Sequence, residues 1–524
     1  MKKINKIFVI LITSILFNGC FSLDQTPYDS LDATNVHSKK DADFWVNGMY
    51  SLLRDNVHGQ SMYLGDVQAD FLNRTIIGSP SWNDIHTWEL FTSSDKGTIN
   101  IWNNYYLIIQ NINSALEGVN KIIESGAETD IAGLNSDKGE LLLGRAFCYS
   151  YLATHFCNAY NESSADTDLG LPLLYKTTKK DFPARSSLKQ TYEFILSDIA
   201  QAETLLQNKT GSVGATSFTI DAVKALKARV LLYKNEWQQA YNVAKALVDA
   251  NTYSLVTTQS ELEGVWHNDD AKESITQIFA GIINGKDQEV VSATNDIYLD
   301  EASDYFNPGS SIYSPQAVPT QDFVNLYNAN DIRKNVYLEQ KNVKYLGNTI
   351  SLYLVNKYPN NPDMVLSSSS SSFWFGFGSN AYSYAHKPKL FRIAEMYLIV
   401  AEAAYKLGGT TDAQTYLDKL RKARGLENVT YTDIWQEIQD ERNREFAFEG
   451  VRLIDIKRWE EGVVRGDVQN TSIIQTVPTN EYNGLNIPYS STADGSTQGY
   501  YKIVWPMPPG NANIDNNRVQ NPGW

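Results

Sequence analysis

The sequence predicts a mostly α-helical protein in which paired helices form a repeat-like scaffold that carries a loop-rich, largely irregular lobe. Apolar residues recur at helical spacing through much of residues 36–250 and again through about 390–460. Two of these segments each contain two helices separated by a short break. Between them, from about 251 to 389, the helical pattern fades and Gly, Pro, Ser and Tyr become frequent.

The first element along the chain is an export signal, residues 1–19. Three lysines within the first six residues precede an apolar run from Ile7 to Phe17, and this order is typical of a secretory signal peptide. The run is about 11 residues long, whereas a helix that spans a bilayer needs about 20 apolar residues. It is therefore interpreted as a removable signal and not as a permanent anchor.

Cys20 directly follows this signal. In bacterial lipoproteins the signal is cut just before a cysteine that is then acylated, so the position of Cys20 predicts lipidation. Several acyl chains hold a protein durably on a membrane, whereas a single chain holds it only marginally. We therefore expect the mature protein to lie on a membrane surface with everything after Cys20 in water. An ordinary cysteine after a conventional cleavage site is the alternative.

Helical periodicity predicts four long helices in the first part of the scaffold. Their apolar residues recur at i, i+3, i+4 and i+7, which is the spacing of one buried helix face. The predicted ranges are 42–55, 99–123, 136–156 and 188–206.

Two further segments, which begin at Thr219 and Leu390, each predict a tight pair of helices. In the second pair Gly408 and Gly409 end the first helix, and Thr411 or Asp412 is placed to cap the next one. Both pairs resemble the helix-turn-helix unit of tetratricopeptide repeats, which has a period of about 34 residues. Stacking such units buries their faces in a shared core. Two unrelated helical hairpins are the alternative.

The chain is interpreted as a single domain, residues 20–524, because the irregular regions do not have the composition of linkers. The helical scaffold covers about 36–250 and 390–460, and residues 251–389 form an insertion rich in loops. Residues 461–524 form an irregular C-terminal segment. Loops of such length inside a compact protein are usually functional or disordered.

The composition narrows the classes of partner. The chain of 524 residues has a formal net charge of −15, which argues against nucleic acid as a partner. Aromatic residues make up 12% of the chain, including 31 Tyr and 11 Trp, so they supply either core or binding surface. We assign no catalytic residue, metal ligand or cofactor from the sequence.

The segment from Ile438 to Glu460 interleaves charged and apolar residues at helical spacing. Four i, i+3 pairs of opposite charge are predicted on it, which are Glu441–Arg444, Arg442–Glu445, Glu449–Arg452 and Asp455–Arg458. Two nearby carboxylates also suit a glycosidase, in which the pair lies about 5 to 10 Å apart. An arginine within one turn of each would lower its pKa and remove it as a general acid. A structural network of ion pairs is therefore the preferred interpretation.

Several ordered motifs resemble the SusD/RagB family of surface lipoproteins from Bacteroidetes. They are "WNNYYLIIQNIN", "GELLLGRAFCYSYLATHF", "DFVNLYNANDIRK", "AEMYLIVAEAAY" followed by "LRKARG", "DERNREFAFEGVRLIDIKRW" and the ending "VWPMPPGNANIDNNRVQNPGW". Together they span nearly the whole mature chain. No single motif would be specific for the family, but the order of all of them along the chain is.

The resemblance implies a tetratricopeptide-containing helical scaffold that is tethered by lipid to the outer face of the outer membrane. It implies a role as the capture subunit and lid of a SusC-like TonB-dependent transporter. Family members bind glycans or their breakdown products, and one branch, RagB-like, is associated with peptides. The resemblance carries over no catalytic residues, so the protein is expected not to be an enzyme.

Sugars present apolar C–H faces and hydroxyl rims, so a glycan site needs exposed aromatic rings beside amides and carboxylates. Tryptophans at helical spacing are assigned to the core. Three loops then remain as sources of the site, and they hold Trp82, Asn83 and Asp84; Tyr305 and Tyr313; and Trp374, Phe375 and Asn380. For each loop the alternative is an aromatic ring that anchors its own loop to the scaffold.

Three functions are therefore weighed. Capture of a glycan or oligosaccharide is preferred, capture of peptides by the same fold is the alternative, and a surface glycoside hydrolase is the third. The sequence leaves the sugar open, because loop aromatics report stacking and not stereochemistry.

Overall fold

The computed structural model describes fifteen stretches of the chain: 36–75, 83–126, 128–177, 183–283, 287–289, 292–294, 297–304, 310–345, 348–365, 382–427, 431–469, 485–490, 499–509, 517 and 519–524. Cys20, Trp82, Tyr305, Trp374, Phe375 and Asn380 lie outside the described residues. No helix within the described stretches is both long and apolar enough to cross a bilayer.

Helices dominate the described chain, as the sequence predicts. They are α1 (Lys39–Val57), α2 (Gln60–Gln68), α3 (Asn83–Thr87), α4 (Lys96–Ser125), α5 (Ile131–Phe156), α6 (Leu188–Leu205), α7 (Ile220–Tyr233), α8 (Trp237–Asp249), α9 (Gln259–His267), α10 (Gln321–Asn325), α11 (Lys334–Tyr337), α12 (Ile393–Lys406), α13 (Thr410–Ala423), α14 (Ile434–Glu445) and α15 (Arg452–Arg458). Short 3-10 turns occur at Pro362–Met364 and Tyr500–Ile503.

The strands are short and mostly paired in twos. They are β1 (Leu72–Arg74), β2 (Leu169–Pro172), β3 (Arg185–Ser187), β4 (Ser274–Gln277), β5 (Gly281–Ile283), β6 (Asp287–Glu289), β7 (Glu301–Ser303), β8 (Ser311–Tyr313), β9 (Ala317–Pro319), β10 (Leu338–Tyr345), β11 (Asn348–Val355), β12 (Lys389–Arg392), β13 (Val463–Val464) and β14 (Asn486–Ile487). Within the described stretches, one four-stranded sheet has the order β11-β10-β8-β7, and β1 pairs with β9 in antiparallel register. The segment that the sequence predicts as irregular therefore contains a small sheet.

The helix ends follow ordinary capping chemistry. Asp95 accepts a hydrogen bond from the amide of Thr98 at 2.8 Å and begins α4, which ends at Gly126 with a left-handed φ of 63°. Ser187 and Gln190 form a reciprocal capping box that begins α6. These local signals explain why the long helices lie close to their predicted ranges.

The two predicted helix pairs stack on each other, because α12 packs against both α8 and α13 while α8 packs against α7. The turn between α12 and α13 uses Gly408 in a left-handed conformation with a φ of 82°. The predicted cap of α13 is wrong: Gly409 occupies the N-cap position and makes no side-chain capping bond. Asp412 instead accepts a hydrogen bond from the hydroxyl of Tyr241 on α8, so it joins the two pairs.

The charged segment from Ile438 to Glu460 is not one helix. It divides into α14 and α15, and the turn between them places Phe448 at a φ of 62° and Gly450 at a φ of 77°. A Cβ atom on Gly450 would lie 2.6 Å from the carbonyl oxygen of Met62. Close contact with α2 therefore requires glycine at this turn.

The charges of this segment form a network of ion pairs, as predicted, but the network is buried and only two of the four predicted pairs occur in it. Glu441–Arg444 and Asp455–Arg458 form, with N–O distances of 2.9 and 2.7 Å. Arg442 pairs with Asp455 and not with Glu445. Arg452 pairs with Asp70, and Glu449 pairs with Lys357 and Arg392. Glu445 receives Arg333, Arg392 and Arg424, all of which lie outside α14.

The two carboxylates that suit a glycosidase are held as anions in this network. Burial opposes ionisation of Glu441, but Arg333 and Arg444 outweigh it and lower its pKa to about 2. Burial likewise opposes ionisation of Glu445, and Arg424 outweighs it and holds the pKa well below the ordinary value. A general acid needs a raised pKa, so neither residue can serve as one.

Candidate functional site

The loop that holds Trp82 leaves the scaffold at Thr75 and returns at α3. The amide of Thr75 donates to the carbonyl of Gln316 at 2.9 Å, and its hydroxyl donates to the carbonyl of Pro315 at 2.5 Å. Thr75 thereby adds one residue to the β1–β9 pairing. Its partners, Pro315 and Gln316, lie in the connection between β8 and β9. The start of this loop is anchored to the sheet region of the lobe.

The C-terminal end of the same segment continues into α3, which anchors it. Asp84 is exposed, and Asn83 begins the helix, although its side chain is outside the described set. Two residues further on, Nδ1 of His86 lies 2.9 Å from the carbonyl of Val67, and the indole of Trp88 donates to the carbonyl of Gln68 at 2.9 Å. The backbone beside Trp82 is therefore held against the end of α2.

A buried arginine from the C-terminal part of the chain, Arg465, joins the end of α2 to α3. Arg465 donates to the carbonyl of Ala69 at 2.9 Å and to the carbonyl of His86 at 2.9 Å. Burial lowers the pKa of Arg465 to about 9, with a small opposing effect of Asp70. No sequence pattern marks this anchor, since Arg465 lies in a segment without helical periodicity.

Tyr305 lies outside the described residues, between strands β7 and β8 of the chain. Ser303 pairs with Ser311, and the amide of Asp304 donates to the carbonyl of Ser310 at 2.8 Å, so residues 305–309 connect two paired strands. Asp304 also forms an ion pair with Lys344 on β10. The sequence predicts that Tyr305 lies in a loop, and its role as a ligand contact stays a prediction.

Tyr313 lies at the end of β8 and not in a loop. Its side chain is 9% exposed and packs in a small core of the lobe with Val318, Val343 and Leu352. Nζ of Lys341 lies 5.1 Å from the centroid of its ring. Burial and this cation leave little of the ring for a ligand to stack on.

The loop that holds Trp374, Phe375 and Asn380 returns to the scaffold at Tyr382 and Tyr384. The hydroxyl of Tyr384 accepts a hydrogen bond from the amide of Glu301 on β7 at 2.7 Å. Its carbonyl accepts from the amide of Ala293 at 2.8 Å. The base of this loop is therefore attached to the same hairpin that carries residues 305–309.

A fourth segment, residues 470–484, follows Gln469, which contacts β9 and β11. Gln469 donates to the carbonyls of Pro319 on β9 and Tyr353 on β11, at 2.8 and 3.0 Å. Its carboxamide oxygen accepts from the amide of Tyr353 at 2.9 Å. No sequence pattern marks this glutamine, because its partners lie more than 100 positions away.

The described bases of these loops thus converge on strands β7 to β11. Thr75 contacts the β8–β9 connection, Asp304 and Ser310 close the β7–β8 hairpin, Tyr384 contacts β7, and Gln469 contacts β9 and β11. Sequence alone places these segments hundreds of residues apart. No group of three or more His, Cys, Asp or Glu side chains suited to a metal ion occurs among the residues that the structure describes.

Comparison with known proteins gives matches over both halves of the chain. A family model described as the SusD family matches residues 263–524, and one described as starch-binding and associating with the outer membrane matches residues 22–232. The SusD-like protein P38 of Formosa agariphila is 26% identical over 511 residues, which cover 88% of this chain and 92% of that protein. The starch-binding protein SusD of Bacteroides thetaiotaomicron is 32% identical over 135 residues, which cover 26% of this chain and 21% of that protein.

Solved structures share the fold. A SusD superfamily protein from Bacteroides thetaiotaomicron aligns with a TM-score of 0.72 at 22% identity, covering 93% of this chain and 100% of that one. A SusD-like carbohydrate binding protein from Bacteroides vulgatus aligns with a TM-score of 0.65 at 20% identity, covering 89% of this chain and 97% of that one.

Proposed function

Because the chain belongs to the SusD family, we propose that it is a non-catalytic outer-membrane lipoprotein that captures glycans or oligosaccharides at the cell surface. The family match itself carries this proposal, since the two models together cover nearly all of the chain after the signal. The description of the N-terminal model as starch-binding and associating with the outer membrane supports both the ligand class and the location. Cys20 is proposed as the lipid attachment site.

The glycan is proposed to contact the loops that rise from strands β7 to β11. Trp82, Tyr305, Trp374 and Phe375 would supply rings for stacking, and Asn83, Asp84 and Asn380 would supply hydrogen bonds to hydroxyls. The common attachment of the loop bases supports a single composite site. Tyr313 is proposed to support the sheet beneath that site, because its ring is buried.

A lipid-anchored binder cannot itself move a ligand across a membrane, so a transporter must accept the captured glycan. We propose a SusC-like TonB-dependent barrel as that partner. Affinity purification of the full-length chain from detergent-solubilised outer membranes should recover such a barrel. Repeated recovery of the protein alone would contradict this partnership and leave the glycan proposal untouched.

The ligand class is tested with the mature chain produced without Cys20, so that no acyl chain is present. A glycan array should identify a preferred class of oligosaccharide, and titration calorimetry should then give a saturable enthalpy for it. Peptide libraries run in parallel test the RagB-like alternative. Binding of peptides with no response to any glycan would overturn the proposal, and release of new reducing ends from a bound glycan would show an enzyme.

A further inference from the structure

An apolar groove of about 170 Å³ lies between α1 and α4 of the scaffold. Phe44 on its wall is 65% exposed, and Leu107, one turn before the groove on α4, is 52% exposed. Large apolar side chains that are exposed together mark an interaction surface more often than isolated ones do. The wall also includes Gly48, Met49 and Leu52 from α1 and Asn111 from α4.

The first described residue of the chain packs on the same face of α4. Val36 is 5% exposed, and a Cβ atom on Gly118 would lie 2.5 Å from the Cβ of Val36. Leu107, Asn111 and Gly118 are separated by four and then seven positions, so they share one face of the helix. Val36 therefore covers the helix face that continues into the groove.

Residues 21–35 precede Val36 and lie outside the described residues. Asn111 and Gly118 are about 10 Å apart along the helix axis, at a rise of 1.5 Å per residue. An extended chain covers about 3.3 Å per residue, so the five steps from Leu31 to Val36 span up to about 17 Å. The length of chain before Val36 is therefore enough to bring Leu31 into the groove without moving any described element.

The composition of residues 21–35 suits an apolar groove. The segment holds the large apolar side chains of Phe21, Leu23, Tyr28 and Leu31, and it holds no lysine or arginine. Burial of such side chains against the groove removes apolar surface of both partners from water.

The covalent connection favours this segment over a separate partner. A segment joined by a short linker is present at its site at an effective concentration on the order of 1 mM. A second copy or another protein would have to exceed that concentration, at equal intrinsic affinity, to displace it.

We propose that residues 21–35 dock in the α1–α4 groove of their own chain, with Leu31 beside Phe44. Docking covers the exposed ring of Phe44 and continues the contact that Val36 makes at Gly118. If Cys20 carries lipid, as proposed above, docking also shortens the tether between the scaffold and the membrane. The docking itself requires neither lipid nor glycan.

Photo-crosslinking of the full-length chain in cells tests what occupies the groove. Phe44 is replaced by p-benzoyl-phenylalanine, which keeps an aromatic ring at this exposed position. After irradiation, peptide mass spectrometry of the monomeric band should map the crosslink to residues 21–35. A crosslink to a second copy, to another protein or to lipid would overturn the proposal, and so would the absence of any crosslink.

A protease test measures docking in the mature chain produced without Cys20. A Cβ atom on Gly48 would meet no described atom within 4 Å, so the scaffold accepts Gly48→Glu. A charge in an apolar groove opposes docking, so chymotrypsin should cleave after Tyr28 and Leu31 about tenfold faster or more in this variant than in the parent.

The matched control is Asn47→Glu, which adds the same charge to an exposed position of α1 outside the groove wall. It should be cleaved like the parent. Both variants should melt no lower than the parent, because glutamate has a higher helix propensity than glycine or asparagine. Equal cleavage of the parent and Gly48→Glu would overturn the proposal, as would equal acceleration by the control.

Discussion

Arg424 donates two hydrogen bonds to the carboxylate of Glu445, from Nε to Oε2 at 2.9 Å and from Nη2 to Oε1 at 2.8 Å. The same guanidinium donates to Glu273, which lies just before β4, at 2.9 and 3.0 Å. All three side chains are fully buried. One arginine therefore joins the end of α13, the end of α14 and the first strand of the lobe, and bidentate pairs of this kind impose a defined geometry.

Glu445→Gln should destabilise the protein strongly. The change removes the charge that Arg333, Arg392 and Arg424 share, and removal of one member of a buried ion pair costs about 3 to 5 kcal/mol. Differential scanning calorimetry should show a clearly lower melting temperature. Affinity for the glycan should stay nearly unchanged, because Glu445 makes none of the contacts that attach the loop bases.

The control for Glu445→Gln is Asp166→Asn, which breaks the exposed pair with Lys189. Exposed pairs contribute little to stability, so this variant should melt close to the parent. If Glu445→Gln melted like the control but lost glycan affinity, the network would belong to the binding site and the structural interpretation would be wrong.

The buried histidines should contribute a loss of stability as the pH drops from about 6.5 toward 3. Burial lowers the pKa of His58 and His155 to about 3, from an ordinary value of 6.5. The unfolded chain therefore binds more protons over this window, and stability rises with pH there. Burial also raises the pKa of Asp66 to about 7 and that of Asp137 to about 6, and these two carboxyls have the opposite sign above 3.8, so the histidine contribution is the part of the slope that His155→Gln should change.

A second decline should follow at lower pH. Glu441 has a pKa of about 2 in the folded state, so its contribution is present above 4.5 and is lost as the pH falls from 4.5 toward 2. Melting temperatures measured between about pH 7 and pH 4.5 report the histidine effect, because the contribution of Glu441 is lost only below 4.5. His155→Gln should give a shallower slope in that range, and slopes identical to the parent would contradict the assignment to this histidine.

Trp82→Ala should weaken glycan binding about tenfold or more, while the melting temperature stays close to that of the parent. A stacked aromatic hot spot contributes about 1.4 kcal/mol or more, and that energy corresponds to a factor of about ten in affinity. Calorimetric titration with the glycan identified on the array measures the effect. Tyr305→Ala and Trp374→Ala should give smaller losses of the same kind.

Two controls accompany Trp82→Ala. Tyr175→Ala removes a ring that is 70% exposed but lies away from the loop bases, so binding should be unchanged. Tyr313→Ala removes a buried ring and should lower the melting temperature more than the affinity. Should Trp82→Ala bind like the parent and melt several degrees lower, Trp82 would be a loop anchor.

Gln469→Leu should lower both stability and affinity. Leucine has a similar volume but leaves the amide of Tyr353 and the carbonyl of Pro319 without their partner, which costs about 1 to 3 kcal/mol for a buried polar group. Because Gln469 joins β9 to β11, to which the described ends of the candidate loops attach, thermal melting and calorimetric titration should both change. Unchanged affinity despite a lower melting temperature would show that this anchor does not position the binding loops.

Cys20→Ser should abolish lipidation. Cells grown with a radioactive fatty acid should label the parent chain and not the variant, because the thiol is the proposed acceptor. The variant should also leave the membrane fraction, since several acyl chains provide durable anchoring. A labelled variant would show that the lipid is attached to another residue.

The sequence by itself determined the features that depend on near neighbours. Helix ranges, the break at Gly408 and the Glu441–Arg444 ion pair all follow from spacing within a few turns. Periodicity and capping are local, so the long helices were predicted close to their observed bounds. The ordered motifs likewise indicated the family, which the two family models then showed.

Only the tertiary structure decided which residues meet across the chain. Glu445 pairs with Arg392 and Arg333 from 53 and 112 positions away, and not with Arg442 one turn back, because packing brings those arginines to the end of α14. Burial of Tyr313 in the lobe core and the anchoring of the loops through Tyr384 and Gln469 depend on the same long-range packing. No local pattern encodes such partners, since the energy of an ion pair or a buried hydrogen bond depends on distances that only the folded chain sets.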